Sequence, residues 1–143
     1  AAASVCRYCA DLYCSVALVA AGRETVVVRP ALASAACQEA LYALATLQPG
    51  SSSFAEAAGE LGRSLPRDSV VFCFSLAATK DIANALNLLA NQGMDVRWYC
   101  ARREAFSPRN SQRPPPAPAT ASGSLVPVQL LPGIRLQEAL RVA

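Results

Sequence analysis

The stretch VVFCFS, Val70 to Ser75, constrains the fold of this chain more than any other. Five consecutive apolar residues, β-branched and aromatic among them, are too few for a buried helix. They read as a strand covered on both faces, as central parallel strands are. Behind them ATKDIANALNLLANQG keeps a helical period from Thr79 to Asn91 and stops at Gly93. MDVRWYC then alternates, with Met94, Val96, Trp98 and Cys100 on one side and Asp95, Arg97 and Tyr99 on the other, which places it nearer an edge. Strand, helix and strand with short connections predict parallel pairing. Ligands of such sheets gather at the C-terminal strand ends. Ser75, followed by Leu76 and not by an acid, is therefore the first residue to question.

Upstream, Val5, Cys9, Leu12, Val16 and Val19 recur every three or four residues, which predicts a helix over 2–21 stopped by Gly22. ETVVVRP reads as a short buried strand ended by Pro30. ALASAACQEALYALATLQ reads as a second helix, with Cys37, Leu41 and Leu44 facing inward. SSSFAEAAGELGRSL opens on a serine cap, with Glu56 placed for a capping box, and predicts a third helix. Downstream, ARREAFSPRNSQRPPPAPATASGS has no apolar period and predicts a mobile insertion at about 102–124 within a single domain spanning 1–143. SLVPVQLL follows as an edge strand, since Pro127 lacks an N–H, and a helix from Leu136 to Val142 closes the chain. The expected fold class is α/β: three layers, a mostly parallel sheet, helices on both faces.

Composition narrows the function. With 53% hydrophobic and 16% charged residues the chain is a folding sequence. A net charge of +3 is too small to argue for nucleic acid. SVALVAAG, bounded by Asp11 and Arg23, falls far short of the ~20 apolar residues of a membrane span. Lys80 is the one lysine among 13 basic residues, an Arg- and Ala-rich bias that suggests a bacterial source. The chain opens without Met, which suggests a piece of a longer protein.

Six cysteines and no histidine leave little metal or nucleophile chemistry. Cys6, Cys9 and Cys14 fall on the predicted first helix, where disulfide geometry is poor. CRYC has ligand spacing, but a zinc site would need Cys37, Cys73 or Cys100 to converge on it. Thiols so placed read as small buried hydrophobes, and reduced thiols point to the cytoplasm. There is no phosphate-binding glycine loop, no GxSxG and no triad base. Asp11, Asp68, Asp81 and Asp95 are scattered. The expectation is a protein that is not an enzyme. Two hydroxyl groupings remain, Ser51, Ser52 and Ser53 before the third helix and Ser75 after the strand. They can act as caps and strand-end hydrogen bonds, or line a common rim.

In order, the first helix, the VVV strand, a helix ending LQPG, SSSFAEA, VVFCFS, a helix and QGMDVRWY resemble the von Willebrand factor A-like fold. The likeness is greatest to the bacterial branch called domain-of-unknown-function family 58. VPVQLLPGIRLQEAL is similar to that branch's closing strand and helix, so the resemblance covers nearly all the chain outside the Pro-rich insertion. It implies a metal-ion-dependent adhesion site, with Mg²⁺ held by a D-x-S-x-S loop, a Thr before a helix and an Asp after the central strand. D-x-S-x-S belongs to a first strand that would precede Ala1, so the domain is expected to be N-terminally incomplete. Ser52, or less closely Ser53, stands at the Thr position and Leu76 at the Asp position. With no carboxylate at the matching positions, the Mg²⁺ of the family is expected to be lost.

The resemblance further implies a protein-interaction module with a degenerate adhesion site. Its rim would carry Ser51, Ser52, Ser53 and Ser75, and its partner would be a MoxR-type AAA+ ATPase. The parent protein would be membrane-anchored through a segment ahead of the domain. The alternative is a fragment of a doubly wound α/β enzyme whose site is completed by residues outside this chain. Upstream residues reading D-x-S-x-S would favour the first, and a Gly-rich turn the second. Brief trypsin treatment should cut first at Arg102, Arg103, Arg109 or Arg113, as mass spectrometry of the fragments would show. Initial cleavage at Arg63 or Arg67 would contradict the insertion.

Overall fold

The computed structural model describes residues 1–106 and 125–132. The segment 107–124, most of the expected insertion, and the expected helix over 136–142 lie outside the described residues. The chain divides into two compact units, Ala1–Arg67 and Asp68–Ala143. Both are mixed α/β.

In the first unit α1 (Ala2–Asp11) leads to β1 (Val16–Ala21), β2 (Thr25–Ala31), α2 (Ala33–Thr46) and α3 (Phe54–Ser64). The helix expected over 2–21 is corrected here. It ends at Asp11, Tyr13 turns the chain with φ 56°, and VALVAA is a strand. The spacing of Val16 and Val19 suits a helix, but Val16, Leu18 and Ala20 suit alternation equally well. The antiparallel ladder to β2 decides between them, pairing Leu18 with Val28 and Ala21 with Thr25. Cys6, Val16, Ala36, Cys37 and Ala40 form the core between α1, α2 and the hairpin, with Cys9, Ala10, Leu18 and Leu41 against it. Small side chains let the two helices approach closely. The strand expected to be buried, β2, hides only Val28.

The connection from α2 to α3 folds back onto the hairpin turn. The Arg23 N–H donates to the Gln48 carbonyl at 2.9 Å, and the Ser52 N–H donates to the Gly22 carbonyl at 3.1 Å. At Gly50 a Cβ would stand 2.1 Å from the Arg23 Cα and 2.3 Å from its N. No side chain fits there. This close approach fixes where the serine run sits.

The second unit runs β3 (Val70–Ser75), α4 (Lys80–Asn91), β4 (Asp95–Cys100), a 3₁₀ turn at Arg103–Phe106 and β5 (Val128–Gln129). The three strands are parallel, in the order β3-β4-β5. The expected ranking of strands is thereby reversed, for β4 is central and β3 lies at an edge among the described residues. Trp98, Tyr99 and Cys100 are buried. The polar residues that suggested an edge are used locally instead. Arg97 pairs with Asp95 at 3.0 Å and lies 5.7 Å over the Phe72 ring. Thr79 caps α4 by accepting from the Ile82 N–H, and Gly93 with φ 92° ends the turn behind it. Ala85, Leu86 and Leu89 are its buried face.

Gly50→Ala should destabilise the chain by about 2–3 kcal/mol in urea unfolding, because backbone must move to admit one methyl group. Gly59→Ala is the control. It sits mid-helix with only the Arg63 side chain nearby, at 3.8 Å, and should gain about 0.5–1 kcal/mol. Equal effects of opposite expectation would remove the steric argument.

Candidate functional site

The four serines singled out by the sequence fall in both units: Ser51, Ser52 and Ser53 in the first, Ser75 in the second. Each of the last three has a definite hydrogen-bond partner. The Ser52 hydroxyl donates to the Gly22 carbonyl at 2.8 Å, joining its own N–H on the same acceptor. Half-buried, it staples the connection to the hairpin turn. The Ser53 Oγ accepts from the Glu56 N–H at 3.4 Å and is the N-cap of α3. Glu56 itself stands in the first turn, where a carboxylate suits the helix dipole. Ser51 is exposed.

Ser75 ends β3, and its Oγ accepts from the Trp98 indole N–H at 2.9 Å. The ladder dictates this meeting. Cys73 is level with Trp98 and Ser75 with Cys100, so all four side chains lie on one face of the sheet. A buried indole N–H is a donor that must find an acceptor, and Ser75 supplies it. Leu76 follows with 72% of its surface exposed. The rim after β3 thus offers a leucine, two exposed alanines and the capping Thr79.

Beneath the rim the chemistry is quiet. Burial, with Cys100 adding to it, pushes the Cys73 thiol up to about 12, so it stays neutral and is a poor nucleophile near pH 7. Burial likewise raises Cys6, with Cys37 and Cys9 contributing in turn. All six cysteines are free thiols, and Cys14 is the exposed one. Among the described residues no three His, Cys, Asp or Glu side chains gather as metal ligands would. CRYC follows that pattern, since Cys6 packs into the core of its unit beside Cys37. A shallow pocket in the first unit is lined by Thr25, Glu56, Gly59, Glu60 and Arg63, where Glu60 and Arg63 pair across one helical turn.

Sequence reasoning missed both partners that define these serines. Trp98 was visible as a strand residue with a donor to satisfy, but only the register of β3 on β4 aligns it with Ser75. Gly22 suits a helix stop by its sequence position, and only the pairing of β1 with β2 makes it part of a hairpin turn. Comparison with protein-family profiles, with curated proteins and with solved structures finds no match for the chain. No helix among the described residues is long and apolar enough to cross a membrane.

Ser75→Ala leaves the Trp98 N–H buried and unpaired, which should cost about 1–3 kcal/mol in urea unfolding. Exchange of the indole proton should quicken in the same variant. Unchanged stability together with unchanged exchange would show that the bond contributes nothing.

Proposed function

We propose that this chain is a non-enzymatic protein-interaction module of the von Willebrand A-like kind, with a degenerate adhesion site. One observation carries the reading. The hydroxyls at the positions matching the family's site are engaged by the fold, Ser52 on Gly22, Ser53 on α3 and Ser75 on Trp98, while exposed Leu76 replaces the carboxylate. A hard cation needs oxygen ligands with at least one or two carboxylates among them. A cation at Ser75 would find exposed Leu76 where the carboxylate should stand, and one at Ser52 or Ser53 would compete with the hydrogen bonds that hold the connection and cap α3. The parallel strands around α4 are compatible with this reading, whereas β1 and β2 form an antiparallel sheet of their own in place of the single mostly parallel sheet expected.

In this reading the domain is a three-layer one whose D-x-S-x-S strand does not lie among these residues. The contact surface is the strand end at Ser75 with exposed Leu76 beside it, Ser51, Ser52 and Ser53 belonging to the first unit, and binding proceeds without Mg²⁺. The partner is a MoxR-type AAA+ ATPase in the cytoplasm.

The test is fluorescence anisotropy of the labelled chain against a purified MoxR-type AAA+ ATPase without nucleotide. Binding should saturate at micromolar protein, equally in Mg²⁺ and in EDTA, and Leu76→Arg should weaken it by at least about tenfold. No saturation up to about 100 µM, or binding abolished by EDTA, would contradict the proposal. Calorimetric titration with Mg²⁺ or Mn²⁺ should show no saturable heat tighter than about 100 µM, the strong end of weak extracellular sites.

A further inference from the structure

The early end of α1 takes Cys14 off the helix and changes what the cysteines can do. Three backbone hydrogen bonds close that end. The Leu12 N–H donates to the Tyr8 carbonyl at 3.2 Å, the Tyr13 N–H to the Ala10 carbonyl at 3.0 Å and the Cys14 N–H to the Cys9 carbonyl at 2.9 Å. The last two, with Tyr13 at φ 56°, are the nested bonds and the left-handed residue of a Schellman turn. Such a turn commonly brings together the side chains of the two residues joined by its outer bond. Here both are cysteines. Standard bond lengths and that hydrogen bond keep the two Cα atoms within about 6.8 Å of each other, inside the span a disulfide bridges. Each cysteine is also anchored. Cys9 packs against the core of its unit. Just beyond Cys14 the Ser15 hydroxyl donates to the Ala31 carbonyl at 3.3 Å, and Val16 pairs with Ala31.

We propose that Cys9 and Cys14 are a redox pair, closing a reversible disulfide across the end of α1 when the chain meets a low-molecular-weight disulfide. The thiolate of Cys14, the exposed cysteine, attacks one sulfur of the small disulfide, forming a mixed disulfide and releasing the first small thiolate. The Cys9 thiolate then attacks the Cys14 sulfur and releases the second. Two electrons pass from the cysteine pair to the small disulfide, and the two thiol protons reach the released thiolates through solvent. Excess small thiol reverses both steps. The other pairings are poorer. Cys6 and Cys37 are both buried in the core, away from the reagent. Cys6 and Cys9 stand one turn apart on α1, where disulfide geometry is poor. Cys73 and Cys100 are buried in the second unit. Burial, with Cys14 adding to it, raises the Cys9 thiol, so the closing step quickens as the pH rises. Tyrosine is an uncommon occupant of the left-handed region, and the bond would hold the turn against relaxing. The pairing rests on the first unit alone and not on the interaction proposed above.

The test starts from the reduced whole chain in about 1 mM glutathione disulfide. After quenching, the chain is unfolded, alkylated at its free thiols and digested with trypsin for mass spectrometry. Cleavage after Arg7 and Arg23 leaves Cys9 and Cys14 in one peptide with no other cysteine. That peptide should be unalkylated and two hydrogens lighter than its dithiol, while Cys6, Cys37, Cys73 and Cys100 carry the alkyl group. Cys9→Ser should stop the reaction with one glutathione on Cys14, and Cys14→Ser should slow modification of Cys9 by at least about tenfold. Against glutathione, the folded chain should favour the closed form at least about tenfold over the same chain in urea, because the turn positions the thiols. Alkylation of both Cys9 and Cys14 in the natural chain would overturn the proposal. So would glutathione left on Cys14, or a bond from either cysteine to Cys6 or to a second copy. Equal equilibria in the folded and the urea-unfolded chain would overturn it too, since the turn would then position nothing.

Discussion

The parallel ladder between β3 and β4 is the constraint on which the second unit depends. Its register sets Phe72 beside Arg97, Phe74 beside Tyr99 and Cys73 beside Trp98. One consequence is structural: the indole N–H of buried Trp98 finds its acceptor at the strand end, in the Ser75 hydroxyl. The other concerns function. A serine at the C-terminal end of a parallel strand stands where α/β proteins place ligands, and here its oxygen accepts the Trp98 indole N–H.

A parallel logic governs the first unit, with glycine in place of tryptophan. The connection after α2 lies so close to the hairpin turn that Gly50 has no room for a Cβ. That closeness brings Ser52 onto the Gly22 carbonyl and delivers Ser53 to the start of α3. The serine run reads in sequence as a loop rich in possible ligands. In the fold two of its three hydroxyls hold the connection in place, and Ser51 is exposed with no such bond among the described residues.

How much of this was legible in the sequence varied with the range of the interaction. Local signals served well. Thr79 and Gly93 bound α4, Ser53 starts α3, and VVFCFS and MDVRWYC are strands within a residue or two. Signals that depend on a distant partner failed. Val16 and Val19 continue the helical spacing of Val5, Cys9 and Leu12, and only pairing with β2 turns them into a strand. Asp95 and Arg97 looked like the wet face of an edge strand, yet they neutralise each other beside a central one. Ser75 was recognised by its position, but its partner lies 23 residues on and is set by register. The bonding state of a candidate ligand is a tertiary property, which composition and spacing do not encode.

The hydroxyls of Ser52, Ser53 and Ser75 each hold a partner in the fold, and the proposed reading leaves none of them to a cation. The chain has a single tryptophan, so the Trp98 indole N–H gives one isolated resonance that reports directly on Ser75. The decisive measurement is a ¹H–¹⁵N spectrum of the labelled chain through a Mg²⁺ titration to about 20 mM, well above the weak-site range. The expected result is a slowly exchanging indole proton whose shift does not move, and fixed amide resonances for Ser52 and Ser53. A saturable shift of the indole together with those serine amides would contradict it, because the hydroxyls would then be leaving their structural partners for the metal.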